Sequence, residues 1–507
     1  MKNQVQLITY VDRLSGGGIA ELSTLLEQRF ADLFGGIHLL PFFSPIDGAD
    51  AGFDPVDHTQ VDPRLGDWHD IKQLAQHTEV MADVIVNHVS SESPPFQDYL
   101  RNGEQSEYAG LFLTQDHVFP DGMSEAQLQA IYRPRPGKPF TRISLADGSS
   151  REFWTTFTPQ QIDIDVQHPQ GRAYLQRILQ TFSDNQIRMV RLDAVGYAIK
   201  QPGSSCFMLP QTFEFIGEFA AQARQLGIEV LVEIHSYYRK QIEIAQRVDW
   251  VYDFALPPLI LHGFAFKTAD SLKHWIGLRP HNALTVLDTH DGIGIIDIGA
   301  ERNDAINQPG LVSAAELDEL VEVIHRNSQG ESRLATGAAA SNLDLYQVNC
   351  TFYDALGRND LDYLLARAIQ FFLPGIPQVY YVGLLAGHND MQLLQRTQVG
   401  RDINRHYYSE DEIDAALQRP VVQRLCELIR LRNTHPAFNG EFTLLDSNSQ
   451  QLSLRWQQGD AFAALQIDFA TREHQLSYSL DGGVHSLALQ DPNTENATRT
   501  DSSINHT

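Results

Sequence analysis

The chain has 507 residues, of which 42% are hydrophobic and 20% are charged, a composition typical of a globular protein rather than a disordered one. It carries 38 basic and 64 acidic side chains, a net charge of -26, which argues against nucleic acid or an anionic membrane surface as partner. Three scattered cysteines and an N-terminus without a signal-peptide pattern predict a cytoplasmic protein without disulfides.

Strands and helices alternate along most of the chain. Helical spacing of apolar residues predicts, among others, helices at Gln211 to Gln225 and Leu361 to Phe372. Short apolar runs predict eight strands, at Val5 to Tyr10, Ile37 to Phe43, Val80 to His88, Ile187 to Asp193, Glu229 to His235, Trp250 to Phe254, Leu284 to His290 and Gln378 to Val382. This α/β pattern predicts a (β/α)8 TIM barrel, with a doubly wound sheet as the less favoured alternative.

Two long segments interrupt the alternation, and a third follows it. The first is rich in Pro, Gly, Ser and aromatic residues, and the second contains a single helical stretch, so both are predicted to be inserted subdomains. Alternating strands after Phe438 predict a small C-terminal β domain, of sandwich type. The predicted segments are barrel 1–87, inserted subdomain B 88–167, barrel 168–291, second inserted subdomain 292–357, barrel 358–437 and β domain 438–507.

Charged and polar side chains recur where the predicted strands end. In a (β/α)8 barrel, functional groups lie at the C-terminal ends of the strands and in the loops that follow. That rule selects Asp83, Asn87 and His88, then Arg191 and Asp193, then Glu233 and His235, then His290 and Asp291, with Asp50 and Phe53 from the loop after the second strand. One such pair would be read as a structural salt bridge, but four strand ends of this kind favour a functional site.

Three carboxylates, Asp193, Glu233 and Asp291, are expected to meet in one pocket. Neighbouring like charges raise the pKa of at least one group, so one carboxyl can act as a general acid while another stays ionised. Arg191, on the same strand face as Asp193, is expected to keep Asp193 ionised. Such a pair suits glycoside chemistry, and retention of configuration needs a separation of ~5 Å.

A metal site is the main functional alternative. Asp83, His88, Asp193, Glu233, His235 and His290 include the usual ligand types. We rank it lower, because the first predicted strand lacks the HxH pair that barrel metallohydrolases usually show.

The strand-end motifs resemble the conserved regions of the α-amylase superfamily, in the same order. They are DVIVNH (83–88), VRLDAVGY (190–197), EVLVEIHS (229–236) and VLDTHD (286–291), and GIPQVYYVG (375–383) resembles a further signature. The loops YRPRPG (132–137), ADAGFDPVDHT (49–59), AASNLDLYQVN (339–349) and GRDINRHYY (400–408) are similar to those of the sucrose phosphorylases within that superfamily.

The resemblance implies a role for each matched residue. Asp193 would be the nucleophile, Glu233 the general acid/base and Asp291 the carboxylate that stabilises the transition state. Glucose would be held by Asp50, His88, Arg191, His290 and Arg401, between Phe53 and Phe157. The acceptor side would be lined by Tyr132, Pro134, Arg135, Tyr197, His235, Asp344, Leu345, Tyr346 and Gln347, with Arg135 and Tyr346 binding phosphate.

The resemblance also implies the substrates: sucrose and inorganic phosphate, giving α-glucose 1-phosphate and fructose by double displacement. It implies no cofactor, and no calcium, although amylases that bind calcium use the position of Asn87 together with aspartates of the following insertion. A homodimer stays open, because the family includes dimers. Other open functions are phosphorolysis of sucrose 6'-phosphate, glucosylglycerol or glucosylglycerate, sucrose hydrolysis or transglucosylation, and sugar binding without catalysis.

Overall fold

Eight parallel strands close into a barrel in the computed structural model of the protein, which describes residues 1–48, 50–134, 137–303, 306–336 and 347–490. The barrel strands are β1 (Gln6–Thr9), β2 (Gly36–Leu39), β3 (Glu79–Ile85), β4 (Ile187–Asp193), β5 (Glu229–Val232), β6 (Trp250–Asp253), β7 (Ala283–Thr285) and β8 (Ile376–Tyr380). Each strand pairs in parallel with the next, and β8 pairs with β1. The predicted (β/α)8 barrel is therefore confirmed, and the doubly wound sheet is wrong.

Helices lie between the strands and bury one face against them. The main ones are α1 (Ile19–Arg29), α2 (Trp68–Leu74), α3 (Pro169–Asp184), α4 (Pro210–Gln225), α5 (Tyr238–Ala245), α6 (Leu256–Phe266), α7 (Asp270–Ile276), α8 (Asp360–Phe372) and α9 (Pro420–Thr434). A proline in the first turn begins α3, α4 and α9, where the missing N–H costs nothing. Within the described residues, no helix is long and apolar enough to cross a bilayer.

The strands are shorter than predicted at the pocket end. We expected the fifth strand to reach His235 and the seventh to reach His290, but β5 ends at Val232 and β7 at Thr285. Glu233, His235, His290 and Asp291 therefore lie in the loops that follow. These polar side chains face the pocket, and the backbone that carries them leaves the strand ladder.

The loop after β3 carries the first insertion. Its strands are His88–Ser90, Phe140–Ser144, Ser150–Trp154 and Gln161–Asp163, and its helices are Pro94–Asn102, Gln115–Val118 and Glu125–Ala130. His88–Ser90 pairs antiparallel with Gln161–Asp163, so the two ends of the insertion meet beside the barrel mouth. The shorter loop after β2 forms a small hairpin of Phe43–Ser44 and Asp57–Val61.

The second insertion follows β7. It contains the antiparallel pairs Ile293–Gly294 with Gln347–Val348 and Glu301–Asn303 with Ile306–Gln308, and the helices Ala314–Asn327, Glu331–Leu334 and Phe352–Ala355. After β8 come the helices Tyr381–Leu384, Met391–Thr397 and Glu410–Leu417.

The C-terminal part is one antiparallel sheet. Its strands, in spatial order, are Glu441–Leu445, Gln451–Gln458, Ala461–Asp468, His474–Leu480 and Gly483–Ser486. The predicted sandwich is wrong, because the face that a second sheet would cover packs on the barrel instead. Phe469 packs on Phe264 of α6, and the Trp456 indole donates to the Phe372 carbonyl at the end of α8. The three cysteines are buried and unpaired.

Candidate active site

The strand register brings the acidic side chains together. Arg191 of β4 lies opposite Asp83 of β3, and Leu192 lies opposite Val232 of β5. The next residues along, Asp193 and Glu233, are therefore neighbours at the barrel mouth. Ala194 adopts a left-handed backbone conformation with φ 55° immediately after Asp193, and this turns the chain away from the strand.

A single guanidinium joins three of the carboxylates. Arg191 Nη1 lies 2.6 Å from Asp83 Oδ1 and 3.2 Å from Asp193 Oδ1, and its Nη2 lies 2.8 Å from Glu233 Oε1. The Arg191 and Asp83 side chains are 2% and 0% exposed, so solvent screens this network little. Asp193 and Glu233 thus approach one planar group from the same pocket. His38 completes the network, with Nε2 at 3.1 Å from Asp83 Oδ2.

The expectation that Arg191 keeps Asp193 ionised is wrong. Burial raises the pKa of Asp193 well above its ordinary value, Glu233 adds to the rise, and Arg191 opposes it only in part. The physical reason is that Arg191 divides its charge among three carboxylates, and its contact with Asp193 is the longest of the three.

Asp291 is held in the opposite state. Burial alone would raise its pKa, but Arg401, His290, Arg191 and Arg405 together hold the pKa below its ordinary value. Arg401 Nη1 lies 2.8 Å from Asp291 Oδ1, and Arg405 Nη2 lies 3.9 Å from the same oxygen. Asp291 is thus a fixed negative charge beside Asp193 and Glu233, suited to stabilise a developing positive charge.

Two buried histidines and two phenylalanines form the deep walls. His290 stacks on Phe53 with ring centroids 4.7 Å apart, and burial lowers the pKa of His290 well below its ordinary value. His88 Nε2 donates to the Phe53 carbonyl at 3.0 Å, and because a carbonyl oxygen only accepts, the imidazole proton lies on Nε2. Phe157 packs at 5.3 Å from His88. These neutral imidazoles can hydrogen-bond a polyol without adding charge.

An aromatic cluster lines the outer side of the pocket. Tyr132 stacks on Phe207 with centroids 4.6 Å apart, Tyr197 lies 4.7 Å from Phe207, and Phe157 meets Tyr197 edge-on at 5.0 Å. Such flat apolar faces suit the C–H faces of a sugar.

Most of the predicted site residues line this one cavity of about 130 Å³. They are Asp50, Phe53, His88, Tyr132, Pro134, Phe157, Asp193, Tyr197, Glu233, His235, His290, Asp291, Gln347 and Arg401. Arg191 lies directly beneath it. Arg135, Asp344, Leu345 and Tyr346 fall outside the described residues.

The sequence reasoning missed five further lining residues: Gln161, Ala194, Gly196, Phe207 and Ile234. All but Gln161 follow β4 or β5, so the strand-end rule could have been extended to Ala194, Gly196 and Ile234. Gln161 begins a strand of the first insertion, and Phe207 lies in a loop well after β4, so no local pattern marks either residue.

The metal alternative has a specific candidate group. Among the described residues, ligand atoms of Glu233, His235 and Asp291 lie within 4.8 Å of one another. The arginines argue against a cation there, because Arg191 and Arg401 already bind Glu233 and Asp291 at 2.8 Å each. Their two positive charges would repel a metal ion brought to the same oxygens.

A lysine occupies the place that the resemblance associates with calcium. Lys200 Nζ lies 2.8 Å from Asn87 Oδ1 and 2.7 Å from Asp163 Oδ2, and also donates to the Tyr197 carbonyl. The Lys200 and Asp163 side chains are 2% and 0% exposed. A fixed ammonium thus satisfies the oxygens that a bound cation would need.

Known proteins resemble this chain over its length. The α-amylase catalytic domain model matches residues 33–247. A sucrose phosphorylase of Agrobacterium vitis is 62% identical, covering 93% of this chain and 96% of its own, and one of Bifidobacterium adolescentis is 54% identical, covering 92% of each. The crystal structure of sucrose 6F-phosphate phosphorylase from Thermoanaerobacter thermosaccharolyticum is 39% identical and superposes with a TM-score of 0.88, covering 96% of this chain and 97% of that one.

Proposed function

The chain belongs to the sucrose phosphorylase family of α-amylase-type enzymes, and from that premise we propose how its own residues carry out the reaction. It transfers glucose from sucrose to inorganic phosphate with retention, releasing fructose and α-glucose 1-phosphate. The observation that carries the proposal is the shared contact of Asp193 and Glu233 with Arg191, beside the ionised Asp291.

In the first step, an Asp193 oxygen attacks the anomeric carbon of the glucosyl unit. The bond from that carbon to the fructosyl oxygen breaks, and Glu233 donates its proton to the departing oxygen. One proton shared by the Asp193–Glu233 pair is the state that this step needs. Sugar binding then fixes that proton on Glu233, where the leaving group is.

In the second step, a phosphate oxygen attacks the same carbon and the ester bond to Asp193 breaks. Glu233, now ionised, accepts the proton of the attacking phosphate. Two inversions give net retention. Asp291 faces the reacting carbon in both steps and stabilises the positive charge that develops there, while Arg401 holds Asp291 ionised.

Phosphate must compete with water for the glucosyl-enzyme. An arginine that binds the anion bidentately favours phosphate, and a closed pocket limits access of water. Arg135 and Tyr346 remain the candidates that the sequence suggests, with Arg135 in a loop stiffened by Pro134 and Pro136.

The donor proposed is unmodified sucrose. A relative named sucrose 6(F)-phosphate phosphorylase is 41% identical and a glucosylglycerol phosphorylase is 38% identical, against 62% and 54% for the sucrose phosphorylases of Agrobacterium vitis and Bifidobacterium adolescentis and 39% for that of Streptococcus mutans. The LDLYQ loop (343–347) also contains no basic residue for a second phosphate group. Buried unpaired cysteines suit a reducing compartment, so the cytoplasm completes the proposal.

The deciding experiment incubates the protein with sucrose, with and without inorganic phosphate, and follows glucose 1-phosphate, free glucose and the anomeric configuration by NMR. We expect α-glucose 1-phosphate that depends on phosphate. Free glucose at an unchanged rate in both reactions would identify a hydrolase instead. Sucrose 6'-phosphate, glucosylglycerol and glucosylglycerate as parallel donors test the specificity, and a preference for any of them over sucrose would overturn it.

A further inference from the structure

His235 has one nitrogen fixed and the other directed into the pocket. It lies in the loop after β5, and its ring stacks on Phe254 with centroids 3.9 Å apart and an angle of 17°. Nδ1 lies 3.0 Å from Asp297 Oδ2. Nε2 lies 4.0 Å from Glu233 Oε1, and this nitrogen is buried without a hydrogen-bond partner among the described residues. The imidazole is thus held by its far side and presents Nε2 to the acceptor side of the cavity.

Asp297 is itself fully buried and tightly fixed. It belongs to the insertion after β7, and its Oδ1 accepts hydrogen bonds from the Ser236 N–H at 3.1 Å and from Gln241 Nε2 at 2.8 Å. These two donors occupy one oxygen and leave Oδ2 for His235 alone. The carboxylate therefore orients the ring and fixes the proton on Nδ1.

The backbone is shaped around this contact. A Cβ atom on Gly294 would lie 2.4 Å from Asp297 Oδ2 and 2.9 Å from His235 Nδ1. Only glycine leaves room for the chain to pass so close to the pair. A side chain as small as alanine would push the carboxylate and the imidazole apart.

Three carboxylates surround His235, and two of them, Glu233 and Asp291, are also paired with Arg191 and Arg401. Asp297 faces Nδ1, Glu233 faces Nε2, and Asp291 lies across the cavity from β7. Burial disfavours the charged imidazole, but Asp297, Glu233 and Asp291 together raise the pKa of His235 above its ordinary value. Because Arg191 and Arg401 already offset part of the charge of Glu233 and Asp291, Asp297 is the carboxylate that chiefly favours the imidazolium here.

We propose that Asp297 is a positioning residue that keeps His235 as an imidazolium with Nε2–H directed into the cavity, where it binds the phosphate acceptor next to Glu233. This inference rests on the proposed phosphorylase function. A cation attracts a phosphate anion and gives little to a neutral water molecule, so the pair favours phosphorolysis over hydrolysis. It also places the acceptor within reach of the carboxylate that takes its proton.

Asp297→Asn tests the charge with little change of shape. Because two donors face Oδ1, the asparagine oxygen takes that position and its NH2 faces His235 Nδ1. Nδ1 must then accept, so the imidazole becomes neutral while Nε2–H is kept. We expect the KM for phosphate to rise about tenfold to a hundredfold, because the attraction between the imidazolium and the phosphate anion is lost. The release of fluoride from α-glucosyl fluoride, which reports formation of the glucosyl-enzyme, should change less than threefold.

The pH dependence of the KM for phosphate distinguishes an effect of the His235 charge from a purely structural effect of Asp297. In the unmodified protein, the KM for phosphate should rise as pH rises through the pKa of His235, because the cation is lost. In Asp297→Asn this dependence should disappear. Phosphate's own ionisation affects both proteins equally, so the difference between the two profiles isolates the imidazole. Histidine ¹⁵N shifts check the proton positions directly, and a neutral His235 at pH 6 in the unmodified protein would overturn the inference.

Gln241→Leu is the matched control. It removes one hydrogen bond from the same carboxylate and leaves the charge in place, so the KM for phosphate should stay within threefold. An equal loss in Gln241→Leu and Asp297→Asn would mean that Asp297 only supports the loop, and the inference would fail. Gly294→Ala should reproduce the effect of Asp297→Asn by separating the pair.

A double-mutant cycle covers the case in which Asp297→Asn folds poorly. His235→Gln should raise the KM for phosphate by a similar factor, and adding Asp297→Asn to it should bring no further rise. Additive effects would overturn the coupling. If the unmodified protein forms no glucose 1-phosphate, the proposed function fails. If it does and Asp297→Asn keeps its KM for phosphate, only this inference fails.

Discussion

Lys200 Nζ lies 2.7 Å from Asp163 Oδ2, in an ion pair that is almost completely shielded from water. Lys200 comes from the loop after β4, and Asp163 from the last strand of the first insertion, so the pair joins the insertion to the barrel. Thr156 also donates to Asp163 through its backbone N–H at 3.1 Å. The insertion carries Phe157 and Tyr132, so this link positions walls of the active site.

Lys200→Met should destabilise the protein by about 3–5 kcal/mol, because it leaves the Asp163 carboxylate buried without its counter-charge. Urea unfolding measures the loss. Arg29→Met provides the control: its pair with Asp414 is exposed to solvent, so its loss should destabilise the protein far less. Lys200→Met with Asp163→Asn should recover part of the loss. Equal destabilisation by Lys200→Met and Arg29→Met would contradict this account.

A chelator should leave activity and the thermal midpoint unchanged. The ammonium of Lys200 already satisfies Asn87 and Asp163, so removal of divalent cations takes nothing from this position. Differential scanning fluorimetry with EDTA and with added Ca²⁺ checks it. A stabilising shift with Ca²⁺ in the unmodified protein would show that a cation site exists after all.

Asp193→Asn and Glu233→Gln should distinguish attack by the nucleophile from proton donation to the leaving group. Without its nucleophile, Asp193→Asn should lose about 10⁴-fold or more with both sucrose and α-glucosyl fluoride. Glu233→Gln should lose about 10²–10⁴-fold with sucrose but keep most fluoride release, because fluoride departs without a proton. Stopped-flow fluoride release distinguishes them, and circular dichroism checks the fold. The reverse pattern would exchange the two roles.

Arg401→Gln should move the acid limb of kcat/KM to higher pH. Arg401 lowers the pKa of Asp291, so its removal raises that pKa by about one to three units and protonates Asp291 at a higher pH. Arg401→Lys keeps the charge and should leave the limb nearly in place. Identical pH profiles for Arg401→Gln and the unmodified protein would rule out this role for the arginine.

His58→Gln should flatten the decline of stability in acid. Burial lowers the pKa of His58 from 6.5 to about 3, and its Nε2 accepts from the Ile85 N–H. Below pH 6.5 the unfolded chain binds a proton at His58 that the folded protein does not. The free energy of unfolding therefore decreases as the pH is lowered.

The slope lost in His58→Gln should be about 1.4 kcal/mol per pH unit. Denaturant unfolding between pH 6 and 5 measures it. Above pH 8 neither protein should show this slope, and that comparison gives the effect of the substitution itself. An unchanged slope would mean that His58 is already charged in the folded protein.

The barrel could be predicted from the sequence because strand and helix periodicities are local. Apolar runs such as Met189 to Leu192 determine a strand wherever they occur, and charged residues at their ends mark the functional face. The sequence did not reveal that β5 ends at Val232 and β7 at Thr285, because nothing local distinguishes the last hydrogen-bonded residue of a strand from the loop after it. The predicted sandwich was wrong for a similar reason. Alternating apolar residues indicate that one face of a sheet is buried, but they do not indicate whether a second sheet or the barrel covers that face.

The site was predictable in its members but not in its electrostatics. Four strand-end motifs identified the three carboxylates, since parallel strands bring their ends to one rim. Arg191 divides its charge among Asp83, Glu233 and Asp193 according to contact distances that differ from one another by only a few tenths of an ångström. No spacing in the chain contains that information.

The amino-acid order alone determined the barrel, the three carboxylates that meet in the pocket and the family, because each depends on residues close together in the chain or on motifs in fixed succession. The partnerships of Lys200 with Asp163 and of His235 with Asp297 were decided only in three dimensions. The members of the two pairs lie 37 and 62 positions apart, and in each pair the aspartate comes from an insertion whose path no periodicity predicts. Charge pairing depends on approach within a few ångströms, and only the folded chain fixes that approach.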